Sequence, residues 1–201
     1  MLGVDVEQGI ELLATLTGLF SVWLARRAHV GLFPIGLVST VLLVGISYRQ
    51  ALYAHAGINF WYSMMGLYGW WRWSTTRSEG RIGRATAKAW WVAVILMLAA
   101  WLVFTYVPVF LGLNPLKFLD VMSSSIAVGA MYLMSARHTE HWLLWILANA
   151  LFTYLFFAAG HPLIAVQYLV FILLAIWGWR SWLLKEEACE DLENSPEITR
   201  T

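Results

Sequence analysis

The sequence predicts an all-α membrane protein: seven transmembrane helices in a three, one, three order, the two triplets related as a parallel repeat. Three observations predict it. Of 201 residues, 60% are hydrophobic and 12% charged, and the mean hydropathy is +0.66, a balance outside the soluble globular range. Seven apolar runs are long enough to cross about 30 Å of hydrocarbon as helices. An ungapped offset of 109 residues pairs Glu11 with Asp120, Trp23 with Tyr132, His29 with His138 and Phe33 with Trp142. The same offset pairs Gly69, Trp70 and Trp73 with Gly178, Trp179 and Trp182.

The runs fall at about 10–25, 31–48, 51–71, 89–111, 118–135, 142–159 and 163–183. The first follows an acidic start, MLGVDVEQGIELLATL, where a cleavable signal needs basic residues, so this helix is expected to stay in the protein. The second opens FPIGLVSTVLLVG. Pro34 there falls in the first turn or two, where its missing N–H costs little, and helix initiation and hinging both fit. The third, LYAHAGINFWYSMMGLYGWWRW, is dense in groups that hydrocarbon does not ask for. Tyr53, His55, Asn59, Trp61, Tyr62, Ser63 and Tyr68 read as the wall of a binding pathway, because an unpaired polar group in lipid costs free energy.

The fourth run, AWWVAVILMLAAWLVFTYVPVFLG, has no counterpart in the repeat and follows the basic loop STTRSEGRIGRATAKA. It returns the chain across the membrane, so corresponding helices lie four crossings apart and enter from the same side. The loop has the composition of a topogenic segment, with an anionic-lipid site as the alternative. The sixth run, WLLWILANALFTYLFF, puts Trp142, Trp145 and Asn149 near one face. In the seventh, Gln167 and Tyr168 are the repeat counterparts of Ile58 and Asn59. After Trp182 the tail LLKEEACEDLENSPEITRT is acidic and without apolar periodicity, and is expected to be solvated and partly disordered. The chain thus divides into a first bundle (1–74), a basic loop with the linker helix (75–112), a second bundle (113–184) and an acidic tail (185–201).

Arg26, Arg27, Arg72, Arg77, Arg81, Arg84, Lys88, Arg137, Arg180, Lys185 and Arg200 fall on one side of this topology, and only Arg49 and Lys117 on the other. The positive-inside rule then predicts a multi-pass protein of the bacterial cell membrane with its N-terminus outside and its C-terminus in the cytoplasm.

Catalysis finds little to work with. No nucleophile with its base, metal constellation or Walker glycine loop is evident, and the lone Cys189 makes neither a disulfide nor a thiol metal site. His138 and His141 could touch a metal if helical, but interfacial histidines are the simpler reading. No enzyme activity, cofactor or nucleic-acid partner is expected. Glu11 and Asp120 occupy equivalent outer helix ends, where an acid suits the macrodipole; Asp120 could also attract a cationic solute. Nothing resembles a buried proton relay, so facilitated transport is the economical mechanism.

The polar residues inside the helices carry more. His55, Asn59 and Tyr62 share a stripe of the third helix, and Asn59, Asn149 and Gln167 could converge from three helices. For any one amide a helix-to-helix hydrogen bond is the plainer reading; three beside aromatics point to a ligand site. Of 13 tryptophans, Trp70, Trp71, Trp73, Trp179 and Trp182 are expected in an aromatic belt at the cytoplasmic ends. Trp61 and Trp145 lie deeper, where a ring could stack on a flat heterocycle or hold a cationic one; lipid-facing packing fits Trp61 equally.

LYAHAGINFWYSMMGLYGWWRW, WLLWILAN and QYLVFILLAIWGWRSW together resemble the PnuC family of bacterial vitamin transporters, over nearly the whole chain. The resemblance implies facilitated import of nicotinamide riboside, or in related branches thiamine or riboflavin, through a SWEET-like fold. It also implies a cytoplasmic kinase that traps the vitamin as a phosphate, and a homotrimer in the lipid bilayer. Carried over by position, Trp142, Trp145 and Asn149 become contacts to base and ribose. Asn59 falls where many members have glutamine, and Ser39 where some have asparagine, departures that bear on which vitamin is carried. An ion-coupled carrier, and a membrane sensor or enzyme that binds without moving its ligand, remain alternatives.

Overall fold

The computed structural model describes residues 2–49, 53–75, 82–113, 118–160 and 162–193; side chains within 2–8, 53–55, 163–164 and 189–193 are outside that description. Among the described residues seven helices follow in order: α1 (Leu2–Arg26), α2 (Leu32–Arg49), α3 (Tyr53–Thr75), α4 (Ala87–Phe110), α5 (Phe118–Ser135), α6 (His141–Ala158) and α7 (Pro162–Glu193). Each falls on one of the seven apolar runs. Six carry a stretch long and apolar enough to cross a membrane. The exception is α3, whose 23 residues reach far enough but include the polar and aromatic groups that lower its hydropathy.

Local chemistry sets the ends. Pro34 sits in the first turn of α2, where a missing N–H leaves no helical bond unmade. Thr86 caps α4, its side chain accepting from the Ala89 N–H at 3.2 Å. Both α1 and α5 end in a left-handed residue, Ala28 (φ 54°) and Arg137 (φ 61°), and these stand at the 109-residue offset. The Ala28 and Arg137 N–H groups reach back to the carbonyls of Ala25 (2.9 Å) and Met134 (3.0 Å). The following histidines, His29 and His138, reach Leu24 (3.1 Å) and Leu133 (3.0 Å). This is a Schellman turn made twice. The bounds of α2 and α6, Leu32–Arg49 and His141–Ala158, coincide at the same offset.

Sequential helices pack against each other, except that α3 meets α5 rather than α4 as its main neighbour, and α1 closes against α7. The hub is α5, two-thirds of which (67%) is buried against at most 28% of any other apolar span. Its run of small residues lets neighbours in: a Cβ on Gly129 would lie 2.8 Å from the Met97 side chain of α4. Ser123 and Ser125 donate to carbonyls of their own helix, Leu119 and Val121, both at 2.7 Å.

Three expectations are corrected. Trp70 and Trp71 are exposed as a belt requires, but Trp73 and Trp182 are only 5% and 0% exposed, because their rings pack into the main core beside Phe33 and Trp142. His141 begins α6, at a helix end as expected, but is fully buried between Trp142 and Trp182 rather than exposed there. The start of the tail is not solvated coil, since α7 runs to Glu193 and buries Glu186, which accepts from Arg84 Nε (3.1 Å) and Thr139 Oγ1 (3.2 Å). At 1.5 Å per residue the 32 residues of α7 exceed the thickness of a bilayer, so its last turns extend beyond the span.

Candidate functional site

The polar residues of α3 and α6 meet at mid-height. Asn149 is the ninth of the 18 residues of α6, and Tyr62 the tenth of the 23 in α3. One turn before Asn149, the Trp145 ring lies 6.1 Å from that of Tyr62, tilted by 59°. Asn149 is buried, and its backbone carbonyl accepts the Thr153 hydroxyl at 2.8 Å. Its amide, by contrast, is hydrogen-bonded to none of the described residues. The amide is not among the enclosed, unpartnered polar groups of the described residues, so its donors and acceptor can be reached by a ligand or water.

From α7, Tyr168 completes a stacked wall with two rings of α6: Phe152 at 4.9 Å and Phe156 at 5.4 Å. Asp120, in the first turn of α5, is partly buried and lies within electrostatic reach of both Tyr62 and Tyr168. Below Tyr62, Ser63 and Thr40 share a hydrogen bond of 2.8 Å, and the Ser63 hydroxyl donates to the Asn59 carbonyl at 3.0 Å. The Trp61 indole N–H is buried without a partner among the described residues. No described group of three or more His, Cys, Asp or Glu residues is placed to hold a metal ion. The arrangement can sandwich a flat ring, hydrogen-bond a polar substituent at mid-span, and present one carboxylate at the end of α5 away from the basic loops.

Not every expected residue joins this group. Trp142 lies seven residues before Asn149, about 10 Å along the helix, and is 2% exposed beneath Gly178, where a Cβ would approach its ring to 2.5 Å. The Ser39 hydroxyl donates to the Ala14 carbonyl at 2.7 Å and so ties α2 to α1. Gln167 is exposed on α7, and the Tyr53 side chain is outside the described set. Asn59 is partly buried on the site side of α3. Phe152 and Phe156 were missed, although spacings of three and seven residues from Asn149 place them on its stripe.

A bundle of spanning helices with an open amide and aromatic rings at mid-span, and no catalytic constellation among its described residues, defines a membrane transporter of a small solute. Residues 8–184 match the family model described as nicotinamide mononucleotide transporter, and the chain belongs to that family. It is 24% identical to the nicotinamide riboside transporter PnuC of Escherichia coli strain K12, over 87% of this chain and 84% of that one. It is 26% identical to the riboflavin/roseoflavin transporter RibM of Streptomyces davaonensis, over 87% and 84%. The crystal structure of the vitamin B3 transporter PnuC superposes with a TM-score of 0.72 at 22% identity, covering 89% of this chain and 82% of that one.

Proposed function

We propose that the protein is a facilitated-diffusion carrier of nicotinamide riboside in the bacterial cell membrane. The observation that carries the reading is the mid-span group of Tyr62, Trp145 and Asn149, two rings for a heterocycle beside an amide for its polar substituents. The names of the relatives support the vitamin. Riboflavin is the second reading, supported by the Streptomyces relative.

The helices act as two bundles, 1–74 and 113–184, in a parallel, SWEET-like repeat, with the basic loop and linker helix at 75–112. The coincident helix bounds and paired left-handed turns support this division. The basic end, with Arg26, Arg72, Arg84 and Arg137, faces the cytoplasm, so the N-terminus lies outside and the tail, 185–201, inside. Rocking of the bundles about the mid-span site gives alternating access. The protein itself makes and breaks no covalent bond; a cytoplasmic kinase that phosphorylates the vitamin makes uptake directional. The assembly is a homotrimer.

Uptake of labelled nicotinamide riboside into proteoliposomes tests the reading. Saturable entry, competed by unlabelled nicotinamide riboside more strongly than by riboflavin, is expected. Saturable entry of riboflavin alone transfers the assignment to the second reading, and no saturable entry of either removes both.

A further inference from the structure

The basic end of the molecule is closed by one kind of contact made twice, from equivalent tryptophans to carbonyls one position apart in the repeat. Trp73, in the last turn of α3, donates its indole N–H to the Ser135 carbonyl at the end of α5, 3.0 Å away. Trp182, its counterpart in α7, donates to the Ala25 carbonyl in the last turn of α1 at 2.9 Å. Each bond leaves one helix triplet for the other, in opposite senses, and lands on a last-turn carbonyl beside a left-handed turn. The surroundings repeat as well. Phe33 sets its edge on Trp73 (5.0 Å, 87°) and Trp142 its edge on Trp182 (5.9 Å, 85°), while the two indoles meet at 6.4 Å.

The principal contacts between α1–α3 and α5–α7 are the α3–α5 and α1–α7 seams, and each seam carries one of these bonds. A passage between the triplets at this end therefore has to open at least one of the two seams. The described hydrogen bonds of the loop that leads into α4 go to one side, although its Ile82 packs in the core cluster shared with Leu24, Phe33 and Trp73. Gly83 exchanges backbone hydrogen bonds with Arg137 O (3.2 Å) and Thr139 N (3.0 Å). Ala85 N–H donates to Glu140 Oε2 at 2.8 Å, and Arg84 pairs with Glu186 at 3.1 Å. All of these partners belong to the second triplet or the turn within it, and α4 packs on α5, so the polar fastening of the strap is to that triplet.

We propose that Trp73 and Trp182 form the gate at the basic end, a pair of crossed indole hydrogen bonds that opens and closes as one unit. Because the rings pack on each other, displacing one removes a wall of the other's site, and an indole N–H freed alone would be left buried and unpartnered. The role in the transport cycle rests on the carrier reading above; the concerted opening rests on geometry alone.

Thiol accessibility tests it without reference to the vitamin. Met134 is buried in the cluster that holds Trp73, so Met134→Cys in a Cys189→Ser background places a reporter behind the gate. Trp73→Phe and Trp182→Phe keep an aromatic ring and remove the donor. Each is expected to speed labelling by a membrane-impermeant maleimide from the basic side several-fold, with the double variant no faster than either single one. Unchanged labelling, or two effects that multiply, overturns the proposal. Hydrogen exchange at the two indole N–H groups of the unaltered protein is a second measurement that needs no Phe variant to fold. One common rate is expected, and independent rates overturn it. Failure of vitamin uptake alters neither readout, so loss of the carrier reading and loss of the gate are told apart.

Discussion

Asn149 and its repeat counterpart Thr40 separate recognition from packing at the level of single residues. Thr40 hydrogen-bonds Ser63 at 2.8 Å, whereas the Asn149 amide faces no described partner. Asn149→Leu should therefore abolish saturable uptake with the fold retained, while Thr40→Val should cost about 1 kcal/mol of stability and leave uptake measurable; uptake and thermal unfolding on both variants check this. Ala28 occupies a left-handed C′ position where glycine is strain-free. Ala28→Gly is expected to stabilise the protein by about 1 kcal/mol, read as a raised unfolding midpoint. Asn149 was legible in the sequence because a polar residue in an apolar run stands out. The fate of Trp142 was not, because helical spacing gives the face a residue occupies but not the depth at which a glycine such as Gly178 lets a neighbouring helix cover it.

Among the elements, α3 and α7 depart most from a plain spanning helix, α3 by its polar content and α7 by its length. The extension of α7 is held by Glu186, and Glu186→Ala should cost about 1 to 2 kcal/mol through the lost bonds to Arg84 and Thr139. Arg84→Ala should cost under about 1 kcal/mol, since the arginine is largely exposed; chemical denaturation distinguishes the two. The turn between α5 and α6 adds a pH dependence. Burial pushes the His138 imidazole below its ordinary pKa, with Glu140 and the backbone at Gly83 and Arg84 opposing. The unfolded chain then binds the proton more readily, so stability present above the ordinary histidine range is lost as pH falls below it. The unfolding midpoint should drop on acidification, and less so in His138→Asn. The sequence missed this fastening because the acidic tail looked like solvated coil. Its partners, Arg84 and Thr139, are remote in the chain and only the fold brings them together.

For the molecule as a whole, hydropathy and charge made the seven helices readable; the self-alignment paired Phe33 with Trp142 and Gly69 with Gly178, and the structure adds that Phe33 meets Gly69 as Trp142 meets Gly178. The seams between the halves were not readable. Lipid and protein interior are equally apolar, so composition could not say that Trp73 and Trp182 face each other rather than the bilayer. The only described carboxylate near the site is Asp120 in the first turn of α5, and no acid is buried at mid-span among the described residues. Uptake by the purified carrier should therefore be indifferent to imposed proton or sodium gradients, and a several-fold acceleration by either would indicate coupling.

The turns at Ala28 and Arg137 adopt one backbone shape with two unrelated side chains, neither of them glycine. A shape that survives such a change of residue is held by its surroundings, and so position rather than identity is what the two halves of this chain have in common. The molecule thereby carries its own experimental control: a substitution on one side can be judged against the same substitution 109 residues away, in matched geometry but a different chemical setting.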